Sequence, residues 1–331
     1  MYPSHTTEPR LTDRFGRAIE YLRLSVTDRC DLRCAYCIPE GFKGFEEPAH
    51  WLTFLEIERL LGVFARQGLK RVRLTGGEPL LRRHVGDLAR RIAALPGIED
   101  VSLSTNATQL AKMAAGLKDA GVTRLNVSLD SLDRETVTRI AGRDVLSDVL
   151  AGLDAARTAG FAPIKINMVV MRDNAHEVDA MVEYCRERRF VLRLIELMPM
   201  GDTARKMGYV DLQPIRRRLL ERHGLIDTLL PGGGPARYLG SPDGHFSVGF
   251  ITPLSQHFCE TCNRVRLTVD GQLHLCLGQE DQMDFRALLR GGASDDDVML
   301  AMRRALDLKP ERHEFLERPD KLIRFMNTTG G

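Results

Sequence analysis

The stretch Cys30-Asp31-Leu32-Arg33-Cys34-Ala35-Tyr36-Cys37 carries three thiols at the spacing C-x3-C-x2-C, directly after the alternating run Tyr21 to Val26. A second group, Cys259-Glu260-Thr261-Cys262 with Cys276 further on, has the spacing C-x2-C-x13-C. A structural zinc or a fully protein-ligated iron–sulfur cluster takes four protein ligands. Three thiolates leave one position open, so each triad points to a metal centre that also binds something other than protein. Together the triads account for six of the seven cysteines.

Disulfides are the plainer reading of close cysteines. Met1 to Glu20 is polar and charged with no apolar h-region, which reads as a cytoplasmic protein without a secretory leader. In a reducing compartment such spacings favour metal binding or catalysis. Zinc with a histidine as fourth ligand stays open from spacing alone, because His50 follows the first triad and His257 and His274 lie beside the second. No apolar run approaches the roughly 18 residues of a membrane span. Lys+Arg of 47 against Asp+Glu of 45 gives a net charge of +2, which argues against a general nucleic-acid binder. The positive charge is clustered, however. Lys70, Arg71 and Arg73 precede the segment Thr75-Gly76-Gly77-Glu78-Pro79, and Arg264 and Arg266 follow the second cysteine pair.

Hydrophobic period organises the rest. Strand patterns at Tyr21–Val26, Arg71–Thr75, Val101–Ser104, Arg124–Leu129, Ile164–Met171 and Val191–Leu197 alternate with helical ones at Phe54–Gln67, His84–Leu95, Leu110–Ala120, Asp133–Ile140, Leu146–Ala159 and Glu177–Arg188. Thr53 with Glu56 three residues on reads as a capping box. Six such alternations predict an α/β fold with a parallel sheet and helical crossovers. Pro231-Gly232-Gly233-Gly234-Pro235 reads as a junction, and 331 residues suit two domains. Beyond the junction, Ala236–Leu239, His245–Phe250 and Arg264–Val269 read as short strands. Asp270-Gly271 reads as a hairpin turn returning the chain so that Cys276 approaches Cys262.

The first triad, with Tyr36 just before its third cysteine and Gly76-Gly77-Glu78-Pro79 downstream, resembles the radical S-adenosylmethionine (SAM) enzymes. The resemblance implies that Cys30, Cys34 and Cys37 hold a 4Fe-4S cluster whose open iron is chelated by SAM. It also implies that the backbone and carboxylate of the glycine-pair segment hold the methionine amino group. Paired glycines at a strand end suit close approach to a ligand. The second triad, the following Asn263-Arg264-Val265-Arg266, the entry strand Leu22 to Cys30 and the terminal Gly330-Gly331 resemble the GTP 3′,8-cyclase family of molybdenum cofactor biosynthesis over nearly the whole chain, from about Phe15 to Gly331.

That resemblance implies an incomplete (β/α)6 TIM-like barrel over residues 14–230. A smaller C-terminal α+β domain, residues 231–331, would carry a second 4Fe-4S cluster on Cys259, Cys262 and Cys276. It assigns Arg23, Arg73, Ser104, Lys165, Arg264 and Arg266 to GTP, with Arg71 and Arg193 as further triphosphate contacts. Tyr36, Gly77, Ser128 and Met198 go to SAM, and Arg264, Arg266, Gly330 and Gly331 to catalysis. The implied reaction removes hydrogen from ribose C3′ of GTP by a deoxyadenosyl radical and joins C3′ to guanine C8. The guanine sits on the second cluster, and an electron donor and a downstream pterin synthase act as partners. A homodimer is left open, and neither nucleic acid nor membrane is expected as a partner.

In an α/β barrel, chemistry sits at the C-terminal ends of strands. Thr75 to Glu78, Ser104 to Asn106, Asn126 to Asp130, Lys165 to Asn167 and Glu196 to Met198 fall at or near such ends. Ala107 stands where relatives usually carry glycine, so either no positive φ is needed there or some strain is tolerated. Cys185 and Trp51 read as packing residues. The alternatives are a radical SAM peptide-modifying enzyme with an auxiliary cluster and a zinc-dependent binding protein.

Overall fold

Six strands, β1 (Tyr21–Ser25), β2 (Arg71–Thr75), β3 (Asp100–Thr105), β4 (Arg124–Ser128), β5 (Lys165–Val170) and β6 (Val191–Glu196), lie side by side in chain order, every pair parallel. The structure, a computed structural model, describes residues 11–37, 47–200, 204, 207–230, 234–315, 317 and 324–330. Crossovers run through α1 (Phe54–Ala65), α2 (Val85–Ala93), α3 (Leu110–Asp119), the pair α4 (Arg134–Ala141) and α5 (Leu146–Thr158), and α6 (Val178–Glu187). The capping box at Thr53 is present, with its hydroxyl accepting from the Glu56 amide and Glu56 reaching back to the Thr53 amide.

The later strands extend this sheet at both edges. β10 (Arg264–Leu267) pairs parallel with β1 and continues antiparallel into β11 (Gln272–His274) and β12 (Gln282–Asp284). β9 (Ser247–Ile251) pairs parallel with β6 and antiparallel with β8 (Arg237–Gly240), which pairs with β7 (Ile226–Thr228). The strands before and after residues 230/231 therefore share one open, mixed twelve-stranded sheet. The hairpin at Asp270-Gly271 forms as the sequence suggests, and Gly271 takes φ +87°. The described elements also include helices α7 (Leu212–His223), α8 (Phe285–Arg290) and α9 (Asp295–Asp307). Sequence reading missed them because arginine runs and acidic first turns blur their apolar periods.

Along each core strand, alternate residues face opposite sides. Leu22, Leu24, Val72, Leu74, Val101, Leu103, Leu125, Val127, Ile166, Met168, Leu192 and Leu194 form one set. They pack beneath the helices in one continuous core with Leu60, Phe64, Leu88, Ile92, Leu117, Leu153 and Met181. The other set is mainly polar or cationic, with Arg23, Arg73, Ser102, Ser104, Arg124, Asn126, Lys165, Asn167 and Arg193 beside the apolar Val169, Val191 and Ile195. Barrels are ordinarily filled by branched apolar side chains. These polar residues do not make such a filling, and Arg73, Arg124, Lys165 and Arg193 instead line a polar chamber on this side of the sheet. Among the described residues, no helix is long and apolar enough to cross a membrane.

Ala107 resolves the alternatives that sequence left open. Its φ is +65°, so the left-handed conformation is used and alanine carries its strain. Cys185 and Trp51 are buried as expected, and Trp51 lies under the Arg82 guanidinium at 4.6 Å.

Candidate functional site

The first triad sits on the loop leaving β1, tied down on three sides. The amides of Gly77 and Glu78 donate to the carbonyls of Thr27 and Arg29 at 2.8 and 2.7 Å. The amides of Arg33 and Ala35 donate to the end of α4, at Ala141 and Ile140. Asn106 Nδ2 and Thr108 Oγ1, on the loop after β3, donate to the two oxygens of Asp31 at 2.8 and 2.7 Å. The need for glycine at 76 and 77 is steric: a Cβ would meet the Thr27 carbonyl at 2.1 Å and the Arg29 carbonyl at 2.2 Å. The pair serves close approach of the cysteine loop.

Two further residues associated with SAM, Glu78 and Tyr36, are held by contacts within the protein. The Glu78 carboxylate accepts from Thr105 Oγ1 (2.8 Å), the Asn106 amide (2.6 Å) and the Leu80 amide (3.0 Å). With three acceptor positions occupied, it clamps the ends of β2 and β3 together, and mainly the backbone of the segment is left for an amino group. Burial pushes this carboxyl up to about 7. Tyr36 donates its hydroxyl to Asp130 Oδ2 at 2.8 Å, so its ring is anchored to the end of β4. Burial likewise raises Asp130, to about 6. Cys34, Tyr36, Asn106, Ser128 and Asp130 line one cavity beside the first triad.

Inside the curled sheet, register builds a cationic row. Arg266 pairs with Arg23, Arg23 with Arg73, Arg73 with Ser102 and Ser102 with Arg124. One step along, Ser104 pairs with Asn126 and Asn126 with Lys165, while Arg193 pairs with Asn167. Strands lie about 4.8 Å apart, so neighbouring arginines repel unless an anion joins them. Arg71, Arg73, Arg124, Lys165 and Arg193 line one cavity with Tyr21 and Tyr238. Burial and the surrounding arginines lower Lys165 to about 8. Burial acts to raise the Tyr21 hydroxyl, yet Arg73, Arg23, Arg264 and Arg193 bring it below its ordinary value.

Several buried polar atoms in this chamber have no partner in the protein: Arg23 Nε, Ser104 Oγ, Asn167 Oδ1, Arg193 Nε, Arg264 Nε and the Tyr21 hydroxyl. Such atoms are costly unless a ligand or solvent satisfies them. Arg124 differs, being engaged by the Asp100 carboxylate, and Arg71 lies 3.8 Å from Glu20. Glu196, at the end of β6, accepts from the Leu254 amide and the Tyr209 hydroxyl and so holds a loop outside the chamber.

The second triad surrounds its own cavity, lined also by Met198, Arg264, Arg266, His313 and Phe315. Met198, assigned from sequence to SAM, thus stands in the wall of the second cavity. Burial raises the Cys259 and Cys276 thiols. For Cys262 burial is outweighed by Lys309 and Arg264, which bring it below the ordinary thiol value. Among the described residues, no three His, Cys, Asp or Glu side chains converge as one metal ion requires. Cys259, Cys262 and Cys276 stand around the cavity rather than at one point. His274 Nδ1 accepts from Arg324 Nη1 at 2.8 Å, which removes that nitrogen as a zinc ligand, and His50 and His257 are exposed.

The C-terminal tail joins the two triads. Arg324 Nη2 donates to the carbonyls of Cys276 and Leu277 at 2.9 and 2.6 Å. Asn327 Nδ2 donates to the Asp28 carbonyl at 2.9 Å, ahead of the first triad. Thr329 and Gly330 are buried, and Arg266 Nη1 donates to the Gly330 carbonyl. Gly331 lies outside the described residues. Sequence reading placed Asn106 and Asp130 at strand ends but missed Lys309, Arg17 and Arg324, since each acts through a fold-dependent contact. Lys309, in an apolar-flanked stretch after a helix, offered the one local signal.

The Radical SAM superfamily model matches residues 24–185 and the Molybdenum Cofactor Synthesis C model residues 190–315. The GTP 3′,8-cyclase of Marinobacter nauticus is 47% identical over 98% of this chain and 99% of its own length. GTP 3′,8-cyclase 1 of Pseudomonas aeruginosa is 46% identical over 96% and 98%. Among solved structures, Streptococcus suis SuiB bound to S-adenosylmethionine aligns with TM-score 0.61 at 16% identity, covering 84% of this chain and 66% of that one. At that identity the likeness concerns the fold alone.

Proposed function

The chain belongs to the GTP 3′,8-cyclase family, and on that footing we propose that it cyclises GTP to (8S)-3′,8-cyclo-7,8-dihydroguanosine 5′-triphosphate, the first step of molybdenum cofactor biosynthesis. Radical SAM membership brings a 4Fe-4S cluster and SAM, which when bound supply the electron and the carbon radical that open the reaction. Cys30, Cys34 and Cys37 would hold this cluster, and Tyr36, Gly77 and Ser128 would contact SAM, with Met198 reaching it from the wall of the second cavity. Cys259, Cys262 and Cys276 would hold a second 4Fe-4S cluster that receives the guanine.

The protein's own work is placement. A triphosphate carries close to four negative charges, and the facing arginines of β10, β1 and β2, with Lys165 and Arg193 opposite, offer cations for it. Arg71 is placed to add to them. Ser104 would bind the nucleotide through its unpartnered hydroxyl. Fixing the substrate at both ends holds ribose C3′ and guanine C8 within near-attack reach. Arg264 and Arg266, at the junction of chamber and second cavity, would act on both parts. Gly330, beside Thr75 at the end of β2, would act in catalysis together with Gly331. In this reading residues 14–230 bind SAM and residues 231–331 carry the auxiliary cluster. The enzyme is cytoplasmic, takes electrons from a cellular donor and passes its product to a pterin synthase.

The observation that carries the proposal is the in-register row Arg266–Arg23–Arg73, lying between two three-cysteine loops. The test is anaerobic reconstitution with iron and sulfide, then incubation with SAM, reductant and GTP. Cyclised nucleotide and one 5′-deoxyadenosine per product are expected. SAM cleavage independent of GTP, with no cyclised product, would overturn the assignment.

A further inference from the structure

Behind the second triad lies a buried cation that the reaction chemistry described above does not use. Lys309 follows α9 and is 2% exposed. Its ammonium donates to the carbonyl of Leu275 at 2.5 Å and of Arg264 at 3.0 Å, and reaches Cys262 Sγ at 3.9 Å. It therefore spans the two arms of the triad hairpin, one residue from Cys276 and two from Cys262. The neighbouring cation, Arg17, is different. Its guanidinium donates to the Cys259 carbonyl at 2.8 Å, and its charge is matched by Asp13 at 2.6 Å. Lys309 forms no ion pair with a carboxylate among the described residues, and Asp13 is already taken by Arg17.

A buried ammonium without a counter-ion is expensive. Two carbonyls satisfy its hydrogens but not its charge. What lies in front of it is three thiols that become thiolates on binding iron. A thiolate-bound cubane is net negative, and one-electron reduction makes it more so. We propose that Lys309 is the counter-ion of the auxiliary cluster, a positioning residue that holds the Cys262–Cys276 hairpin and raises the cluster's reduction potential through its charge. This rests on the reading of the second triad as a cluster site. Hydrogen bonds and charge around the sulfurs are among the levers that set such potentials.

The test uses the full chain with Cys30, Cys34 and Cys37 replaced by alanine, so that only the second site can bind iron. Redox titration by electron paramagnetic resonance is read together with iron and sulfide content. Lys309→Arg should keep both the cluster and its midpoint. Lys309→Gln, which keeps a donor but no charge, should shift the reduction equilibrium at least tenfold toward the oxidised cluster, about 59 mV for one electron. Loss of iron in Lys309→Gln and Lys309→Met with retention in Lys309→Arg would also support the charge. An unchanged midpoint in Lys309→Gln would overturn the inference, as would equal damage in all three variants. A parent protein that binds no cluster would instead overturn the reading of the second triad, and this inference with it.

Discussion

Arg266 Nη1 donates to the carbonyl of Gly330 at 2.6 Å, joining a strand residue of the cationic row to the far end of the chain. The same glycine takes φ +73°, and a Cβ on it would lie 2.3 Å from Thr75 Cγ2 at the end of β2. Chain ends are ordinarily frayed. This one is seated, because Arg324, Asn327 and Arg266 each hold a carbonyl or supply one with a donor.

Gly330→Ala should therefore displace the tail without touching either triad. Iron content and SAM binding should stay at the parent level, while cyclisation falls by about a hundredfold, as expected for misplacement near a reacting centre. Truncation of Gly330 and Gly331 should do the same. The measurement is deuterium transfer from 3′-deuterated GTP into 5′-deoxyadenosine; equal transfer in variant and parent would make the tail a spectator.

The triads should divide the labour. Cys34→Ala should abolish SAM cleavage, and Cys262→Ala should leave uncoupled cleavage but end cyclisation. Chromatographic quantification of 5′-deoxyadenosine and cyclised nucleotide separates the two. A Cys262→Ala enzyme that cyclises at the normal rate would remove the second triad from substrate binding.

Affinity for GTP should depend on Lys165 and on pH in a defined direction. In the free protein burial and neighbouring arginines hold this lysine at about 8. Below that pH it is already charged and binding takes up no proton. Above it, the anion must recharge the amine, so affinity should fall by up to about tenfold per pH unit. Calorimetric titrations at pH 7, 8 and 9 should show this loss, and Lys165→Met should flatten it. Arg23→Ala and Arg73→Ala should each weaken binding at least tenfold at every pH, since removing a charged contact to a desolvated group costs about 2–5 kcal/mol.

Ala107→Gly should be close to neutral. Loss of a buried methyl costs about 0.8 kcal/mol and added unfolded-state freedom about 0.4–1 kcal/mol, whereas relief of the left-handed alanine returns about 1–2 kcal/mol. Denaturant unfolding that shows a loss of about 1.2–1.8 kcal/mol, the sum of the first two effects alone, would mean the alanine carries no strain.

The sequence by itself determined the strand–helix alternation, because each core element has one apolar face and its period survives in the residues: β2 (Arg71–Thr75) and the capped start of α1 at Thr53 read off directly. It also determined the two three-cysteine motifs, whose members lie close together in the chain. What tertiary structure decided is everything that depends on register between distant strands. The row Arg266–Arg23–Arg73 exists because β10 docks parallel to β1, a pairing of residues more than 240 positions apart that no local pattern encodes. The same holds for the sheet that continues past residue 231, for the clamping role of Glu78, and for Lys309 against Cys262. Ala107 is the intermediate case. Its identity posed the question of backbone strain, and only the packing of Gly152, where a Cβ would lie 2.6 Å from the Ala107 carbonyl, together with the hydrogen bond from the Ala107 amide to Thr105 Oγ1, holds it in the left-handed region.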